Sequence, residues 1–112
     1  MKTKRARSDI DSSAPIFDAL GDPTRLRLVA RLSQGGPQSI TGLTHGSALT
    51  RQAITKHLRV LQGAGLVRGT KRGRESRFEL ERKQLDVATR YLEWISERWD
   101  AALGRLKIFV EE

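Results

Sequence analysis

The stretch that decides the fold runs from residue 50 to residue 80, TRQAITKHLRVLQGAGLVRGTKRGRESRFEL. Its first half predicts a helix that Thr50 caps and that ends near Gln62. The apolar residues of that helix follow a single helical stripe: Ala53, Ile54, Leu58 and Leu61. Its second half predicts a β-hairpin, because Phe78 and Leu80 alternate with polar residues after a glycine-containing turn at residues 72–75.

The residues before this stretch predict a second, shorter helix over 39–45, with Gly46-Ser47 as the turn between the two helices. Two helices joined by so short a turn are typical of a helix-turn-helix, and a hairpin directly after the second helix is typical of a wing. Further upstream, residues 14–20 and 23–33 predict two more helices, the first with Pro15 in its first turn. The second begins at Asp22-Pro23 and is expected to bury Leu26, Val29, Ala30 and Leu32.

The last segment, residues 84–110, predicts one long helix. Its apolar residues recur in alternating steps of three and four, which is the spacing of a coiled-coil seam. One small domain cannot cover so much apolar surface, so the pattern favours a homodimer. On this helix the residues predicted for the dimer interface are Leu92, Ile95, Trp99, Leu103 and Leu106.

The predicted fold class is therefore mainly α with a small β-hairpin, a winged helix-turn-helix with a long C-terminal dimerisation helix. The expected organisation is a disordered basic arm over residues 1–12, a DNA-binding core over 13–80 and a dimerisation helix over 81–112, within a single domain. The arm contains Lys2, Lys4, Arg5 and Arg7. It serves equally well as a solubilising tail or as a DNA-contacting arm.

The positive charge is concentrated where a DNA contact is expected. The chain carries a formal charge of +8, and residues 51–77 alone contain eight basic residues and one acid. The residues predicted to read bases in the major groove are Thr50, Arg51, Gln52 and Thr55. Those predicted to contact phosphate, including the wing, are Lys56, Arg59, Lys71, Arg72 and Arg74.

Several classes of function are disfavoured by what the sequence lacks. There is no cysteine and there are only two histidines, His45 and His57, so neither a disulfide nor a metal site is expected, and no cofactor is assigned. We expect His57 to support the helix rather than bind a ligand. No catalytic set is evident, which predicts a protein that is not an enzyme. No segment predicts a signal peptide or a membrane span, so we expect a soluble cytoplasmic protein with no membrane partner.

The motifs resemble those of a known family. Residues 22–28, DPTRLRL, resemble the DPTRLRIL opening of the arsenical-resistance-regulator (ArsR-type) repressors, and residues 50–61 with 64–67 are similar to that family's recognition helix and its entry into the wing. The C-terminal helix looks like that of a cysteine-free branch. The resemblance implies a winged-helix homodimer, paired through its first and last helices, that represses a promoter from an operator. It therefore adds Ile16, Phe17 and Leu20 of the first helix to the predicted dimer interface. The family's usual metal-sensing residues are absent, so any small-molecule inducer is unknown.

Two other functions compete with this interpretation. A general nucleoid or RNA-binding protein could use the same basic surface, although residues 51–77 contain no aromatic side chain on which bases could stack. A protein-interaction module could instead bind an unrelated partner through the long helix. Trp94 and Trp99 are expected in the core of the seam, and the alternative is a pocket between the long helices for an inducer.

Overall fold

The structure is a computed structural model that describes the backbone of residues 2–111 and the side chains of residues 10–111. The elements in chain order are α1 (Lys2–Leu20), α2 (Pro23–Gly35), β1 (Gln38–Ser39), α3 (Ile40–Thr44), α4 (Arg51–Gly63), β2 (Val67–Arg72), β3 (Glu75–Leu80) and α5 (Arg82–Glu111). This arrangement confirms the predicted fold class, mainly helical with a β-hairpin wing and a long C-terminal helix.

Helix α1 departs most from the prediction. The sequence predicts an arm over residues 1–12 and a helix from residue 14, whereas the helix begins at Lys2 and Pro15 lies in its interior. The buried residues described in α1 are Ser13, Ile16 and Ala19, all in its C-terminal half, and the helix packs along α5. The basic side chains of the predicted arm lie outside the described residues: Lys2, Lys4, Arg5 and Arg7.

Helix α2 begins as predicted but buries a different face. Asp22 caps it by accepting a hydrogen bond from the N–H of Arg25, and Pro23 occupies the first turn. The core receives Leu28 and Leu32, which are four residues apart on one face. Leu26 is 53% exposed and Ala30 is also exposed, so the prediction that they are buried is wrong.

The helix-turn-helix consists of α3 and α4. The Ser39 hydroxyl caps α3 by accepting from the N–H of Gly42, and Arg31 of α2 donates to the carbonyls of Gly42 and Leu43 at 2.8 and 2.7 Å. These contacts attach the short α3 to α2. Thr50 caps α4 as predicted. Helix α4 then buries the expected stripe, Ile54, Leu58 and Leu61.

The wing is a β-hairpin within a three-stranded antiparallel sheet of order β1-β3-β2. Arg72 pairs with Glu75, which leaves Gly73 and Arg74 as a two-residue loop. Gly73 has φ of 67°, and no non-glycine residue in the described chain has a positive φ, so the loop is a type II′ turn. Strand β1, which pairs Gln38 with Phe78, was not predicted from the sequence.

Helix α5 has 30 residues and extends well beyond the other elements. The chain as a whole measures 67 × 31 × 20 Å along its principal axes. Its first half packs on α1, with Ala88 buried and the rings of Phe17 and Tyr91 6.0 Å apart. Past Trp94 its large apolar side chains are exposed. No described helix is both long enough and apolar enough to cross a membrane.

Candidate nucleic-acid interface

The four residues predicted to read bases lie at the start of α4: Thr50 is its N-cap, Arg51 and Gln52 are exposed in its first turn, and Thr55 is half-buried in the next. Gln52 is exposed, so its amide is free to approach a base edge. The Thr55 hydroxyl donates to the carbonyl of Arg51 at 2.7 Å, which leaves its oxygen as an acceptor. Thr50 uses its oxygen as the helix cap and retains a hydroxyl proton to donate.

Arg51 is fixed by a contact that the sequence did not reveal. Its Nη1 donates to the Thr41 hydroxyl on α3 at 2.7 Å. The guanidinium has five N–H groups in a planar fork, so this bond leaves donors for a guanine edge while it limits the rotation of the side chain. The first helix of the helix-turn-helix thus orients a residue on the second.

A cleft of about 320 Å³ separates α4 from the wing. It brings together three residues that the sequence predicted as DNA contacts, Thr55 and Arg59 from α4 and Lys71 from β2. Further polar groups on its walls were not predicted: Gln62, Thr70 and Ser76. Their place depends on how the hairpin folds against α4, and no local sequence signal identifies them.

The wing presents its cations at different places. Lys71 pairs with Ser76, and both line the cleft, whereas Arg72 is one residue further along β2 and is not among the cleft residues. Arg74 is in the loop at the tip, and it is exposed. The predicted wing residues are therefore spread around the hairpin rather than gathered at a single point. Lys56 is also exposed, on α4.

Two cations that add to the formal charge of this segment are already paired. Arg68 makes a bifurcated contact with Glu79 across the strands and lies 3.5 Å from Glu81, and these carboxylates raise the pKa of the guanidinium above its ordinary value. Arg77 lies 3.5 Å from Glu75. The cations on α4, the cleft and the hairpin tip consequently supply most of the field available to a polyanion.

The residues predicted for the dimer interface divide into two groups. Ile16 is only 1% exposed and belongs to the core, so its assignment to the dimer surface is wrong. Its burial within the single chain leaves it no area to offer a partner, and Phe17 and Leu20 are half-buried. The members on α5 are all exposed and lie along one side of the helix: Leu92, Ile95, Trp99, Leu103 and Leu106.

The tryptophans of α5 are in different environments. Trp94 is half-buried, stacked on Tyr91 with centroids 6.2 Å apart, and the Arg98 guanidinium lies 4.2 Å from its ring centre. Trp99 is 65% exposed rather than in the core of this chain. Within residues 10–111, no three His, Asp or Glu side chains come close enough to hold a metal ion.

A helix pair whose second helix presents polar and cationic side chains beside a β-hairpin defines a DNA-binding protein of the winged helix-turn-helix class. Comparison with known proteins agrees. Residues 20–70 match the family model described as "Helix-turn-helix domain". The chain is 42% identical over 65 residues to YuzN of Bacillus subtilis, an uncharacterised HTH-type transcriptional regulator. This match covers 53% of this chain and 71% of YuzN.

Two further similarities refine the class. The structure of an ArsR-like transcriptional regulator from Rhodococcus sp. RHA1 superposes with a TM-score of 0.78 and 37% identity, over 89% of this chain and 93% of that one. The HTH-type transcriptional regulator NmtR of Mycobacterium tuberculosis is 34% identical over 67 residues, 60% of this chain and 55% of that protein. The chain belongs to the ArsR family of helix-turn-helix transcriptional regulators and is not an enzyme.

Proposed function

We propose that this regulator binds double-stranded DNA as a homodimer at an inverted-repeat operator and represses transcription there. The observation that carries the proposal is the common surface of α4 and the wing, where Thr55, Arg59 and Lys71 line one cleft. In this proposal residues 13–80 act as the DNA-binding core and residues 81–112 as the dimerisation helix.

Base reading is assigned to Thr50, Arg51, Gln52 and Thr55. Gln52 suits the N6 and N7 edge of adenine and Arg51 the O6 and N7 edge of guanine, each through two parallel hydrogen bonds. Support comes from their exposure on the first turns of α4 and from the bond that holds Arg51 against Thr41. The first turns of a recognition helix are the part that enters the major groove.

Phosphate contacts are assigned to the cations around the cleft and the wing: Lys56, Arg59, Lys71, Arg72 and Arg74. These contacts supply affinity and fix the protein on the duplex, but they carry little sequence information. All five side chains are exposed, as such contacts require.

Dimerisation is assigned to the exposed apolar side of α5 together with the half-buried Phe17 and Leu20 of α1. Complete burial of one large apolar side chain contributes about 1.5–3 kcal/mol, and the five α5 side chains assigned to the interface are all exposed in a single chain. A two-fold symmetric dimer would bury these five side chains from each of its two chains. It would also place the two recognition helices about 34–36 Å apart, one turn of DNA, on the two halves of an inverted repeat.

Repression would follow from occupation of the promoter, in the cytoplasm where such regulators meet DNA. The proposal includes no metal and no cofactor. Any small-molecule inducer would have to bind one state of the dimer more tightly than the other in order to release the operator.

The test is selection of duplexes from a random library by the purified full chain, followed by footprinting of the enriched sequence. Scrambled duplex serves as competitor, across a salt series from about 50 to 200 mM. We expect an inverted repeat that remains protected in excess competitor. Transcription from a promoter carrying that repeat, with and without the protein, then tests repression.

Equal binding to every duplex, with a steep loss on adding salt, would overturn the proposal in favour of a general nucleoid-binding protein. Preference for structured RNA over duplex DNA would likewise contradict it. A protected repeat whose promoter is activated would keep the DNA-binding assignment and remove repression.

A further inference from the structure

The guanidinium of Arg25, in the first turn of α2, connects two other helices. Its Nε donates to the carbonyl of Ala19 at 2.5 Å and its Nη2 lies 3.5 Å from the carbonyl of Asp18. These carbonyls belong to the last turn of α1, where the helix itself supplies no donors. Its Nη1 lies 3.4 Å from Nδ1 of His57 in the middle of α4. One side chain therefore joins the end of α1 to the recognition helix.

Asp22 completes this contact. Its Oδ2 accepts from the backbone N–H of Arg25 at 3.1 Å and lies 3.9 Å from the same His57 Nδ1. The His57 nitrogen thus lies beside the Arg25 guanidinium and the Asp22 carboxylate at the start of α2. We refer to Asp22, Arg25 and His57 as the α2 node.

The location of the α2 node connects the two halves of the proposed mechanism. On one side, α1 packs along α5, which carries the apolar surface assigned to dimerisation. On the other, His57 lies on the flank of α4 that faces α2, away from the side that carries Gln52 and Arg59. The node does not include any residue of the predicted DNA-contact set, yet it connects α4 to the end of α1.

We infer that Arg25 is a positioning residue, which acts through His57 to hold the recognition helix at a fixed angle to α1. In the dimer this angle sets the separation of the two recognition helices and so the half-site spacing that the protein accepts. The inference rests on the proposed function and names the residue that enforces its geometry. A side chain that only stabilised the fold would leave the spacing preference of the folded protein unchanged.

The experiment compares Arg25→Gln with Arg27→Gln. Arg27 lies two residues further along α2 and is exposed, so its substitution removes the same charge from the same helix without touching the α2 node. Each protein is assayed on the operator selected by the wild type and on versions with one base pair added to or removed from the spacer. Circular dichroism and sedimentation establish that each variant is folded and has the oligomeric state of the wild type.

For wild type and Arg27→Gln we expect strong preference for the selected spacing. For Arg25→Gln we expect that preference to fall by about 3- to 10-fold, the range typical of residues that couple distant sites. Binding to the selected operator weakens, whereas binding to the altered spacers changes less. The dependence of affinity on salt stays the same, because no phosphate contact is lost.

A second variant, His57→Ala, keeps the inference testable if Arg25→Gln does not fold. It removes a half-buried ring and leaves the bonds between Arg25 and α1 in place. We expect the same loss of spacing preference. In the double variant the two effects should not add, because both substitutions break the same connection.

The outcomes separate this inference from the function on which it rests. If the wild type selects no operator, the proposed function fails. If the wild type selects an inverted repeat, and folded Arg25→Gln and His57→Ala keep its spacing preference, the function stands and the positioning role is wrong. Effects that add in the double variant would show that Arg25 does not act through His57.

Discussion

Gln52 is the residue to which the proposed base reading assigns the most direct role. Its amide is exposed on the second residue of α4 and can make paired hydrogen bonds to adenine. We expect Gln52→Ala to lower the discrimination between operator and scrambled duplex by about 1–3 kcal/mol. Competition binding at fixed salt measures the ratio. Gln34→Ala, which substitutes an exposed glutamine on α2, is the matched control. An unchanged discrimination ratio for Gln52→Ala would show that Gln52 does not read a base.

Arg74 is expected to contribute affinity without selectivity. It lies in the two-residue loop of the hairpin, exposed at the tip of the wing. We expect Arg74→Ala to weaken operator and scrambled duplex alike and to reduce the slope of log K against log salt by about one unit. Arg90→Ala on α5 removes the same charge far from the wing and should leave the slope unaltered. Loss of discrimination with an intact slope for Arg74→Ala would contradict the phosphate role.

Asp22 makes the stability of the chain depend on pH in a defined direction. The hydrogen bond from the N–H of Arg25 holds its pKa below the ordinary value of 3.8. A carboxyl with a depressed pKa stabilises the folded state above the unfolded pKa, and that contribution is lost as pH falls through the folded pKa. We therefore expect Asp22→Ala to lower Tm at neutral pH, by a margin that narrows toward that between Asp22→Asn and Asp22→Ala as pH falls below about 3.8 and through the folded pKa.

Asp22→Asn is the control for this titration. An asparagine side chain still accepts a hydrogen bond at a helix N-terminus but carries no charge to lose. Thermal unfolding across a pH series should give the Asn variant a Tm above that of the Ala variant at every pH. A constant gap between wild type and Asp22→Ala down to strongly acidic pH would show that the carboxylate charge is not responsible.

The wing is the element whose geometry depends on one backbone position. Gly73 has φ of 67° in the hairpin loop, where a β-branched side chain is strained. We expect Gly73→Val to destabilise the chain by about 1–2 kcal/mol and to weaken DNA binding because the tip moves. Gly73→Asn should cost much less, since asparagine tolerates this region. Urea unfolding and operator affinity measure both effects, and equal losses for Val and Asn would refute the turn assignment.

Local signals were sufficient for the elements whose ends and faces are decided locally. Thr50 and Asp22 cap their helices as predicted, and the stripe of α4 is the buried one. The features that sequence could not supply depend on contacts between distant segments. Strand β1 exists because Gln38 pairs with Phe78, and α1 packs along α5, which lies at the other end of the chain.

The same distinction applies to the candidate site. The exposed residues of α4 follow from helical periodicity, so they could be named in advance. The bond between Arg51 and Thr41, the cleft wall at Gln62, and the pairing of Arg68 with Glu79 all join segments that only the fold brings together. Ile16 failed as an interface residue for the same reason, because periodicity marks an apolar face without saying which neighbour covers it.

At the scale of the whole molecule, the C-terminal half of α5 carries apolar surface that a single chain leaves exposed. Beyond Trp94 the helix projects away from the core with Ile95, Trp99, Leu103 and Leu106 exposed. A monomer would also place only one recognition helix on DNA. Pairing through α5 would cover this surface and provide the second recognition helix, so oligomeric state and operator affinity should change together.

A charge placed in the proposed interface tests whether operator affinity depends on the oligomeric state. Leu106 and Ile108 are similarly exposed, at 57% and 62%, but two residues rotate the helix by about 200°, so only Leu106 lies on the seam. We expect Leu106→Glu to dissociate the dimer, because a buried carboxylate without a partner is strongly unfavourable. Ile108→Glu should leave the dimer intact. Sedimentation equilibrium at several protein concentrations distinguishes the two.

Loss of the dimer has a specific consequence for DNA. Leu106→Glu should lose most of its preference for the inverted repeat over a single half-site, because two linked contacts become independent. Its weak binding to scrambled duplex should persist, since α4 and the wing keep their cations. A Leu106→Glu protein that remains dimeric would place the interface elsewhere than on α5. A monomer that still prefers the full repeat would show that this preference does not depend on dimerisation.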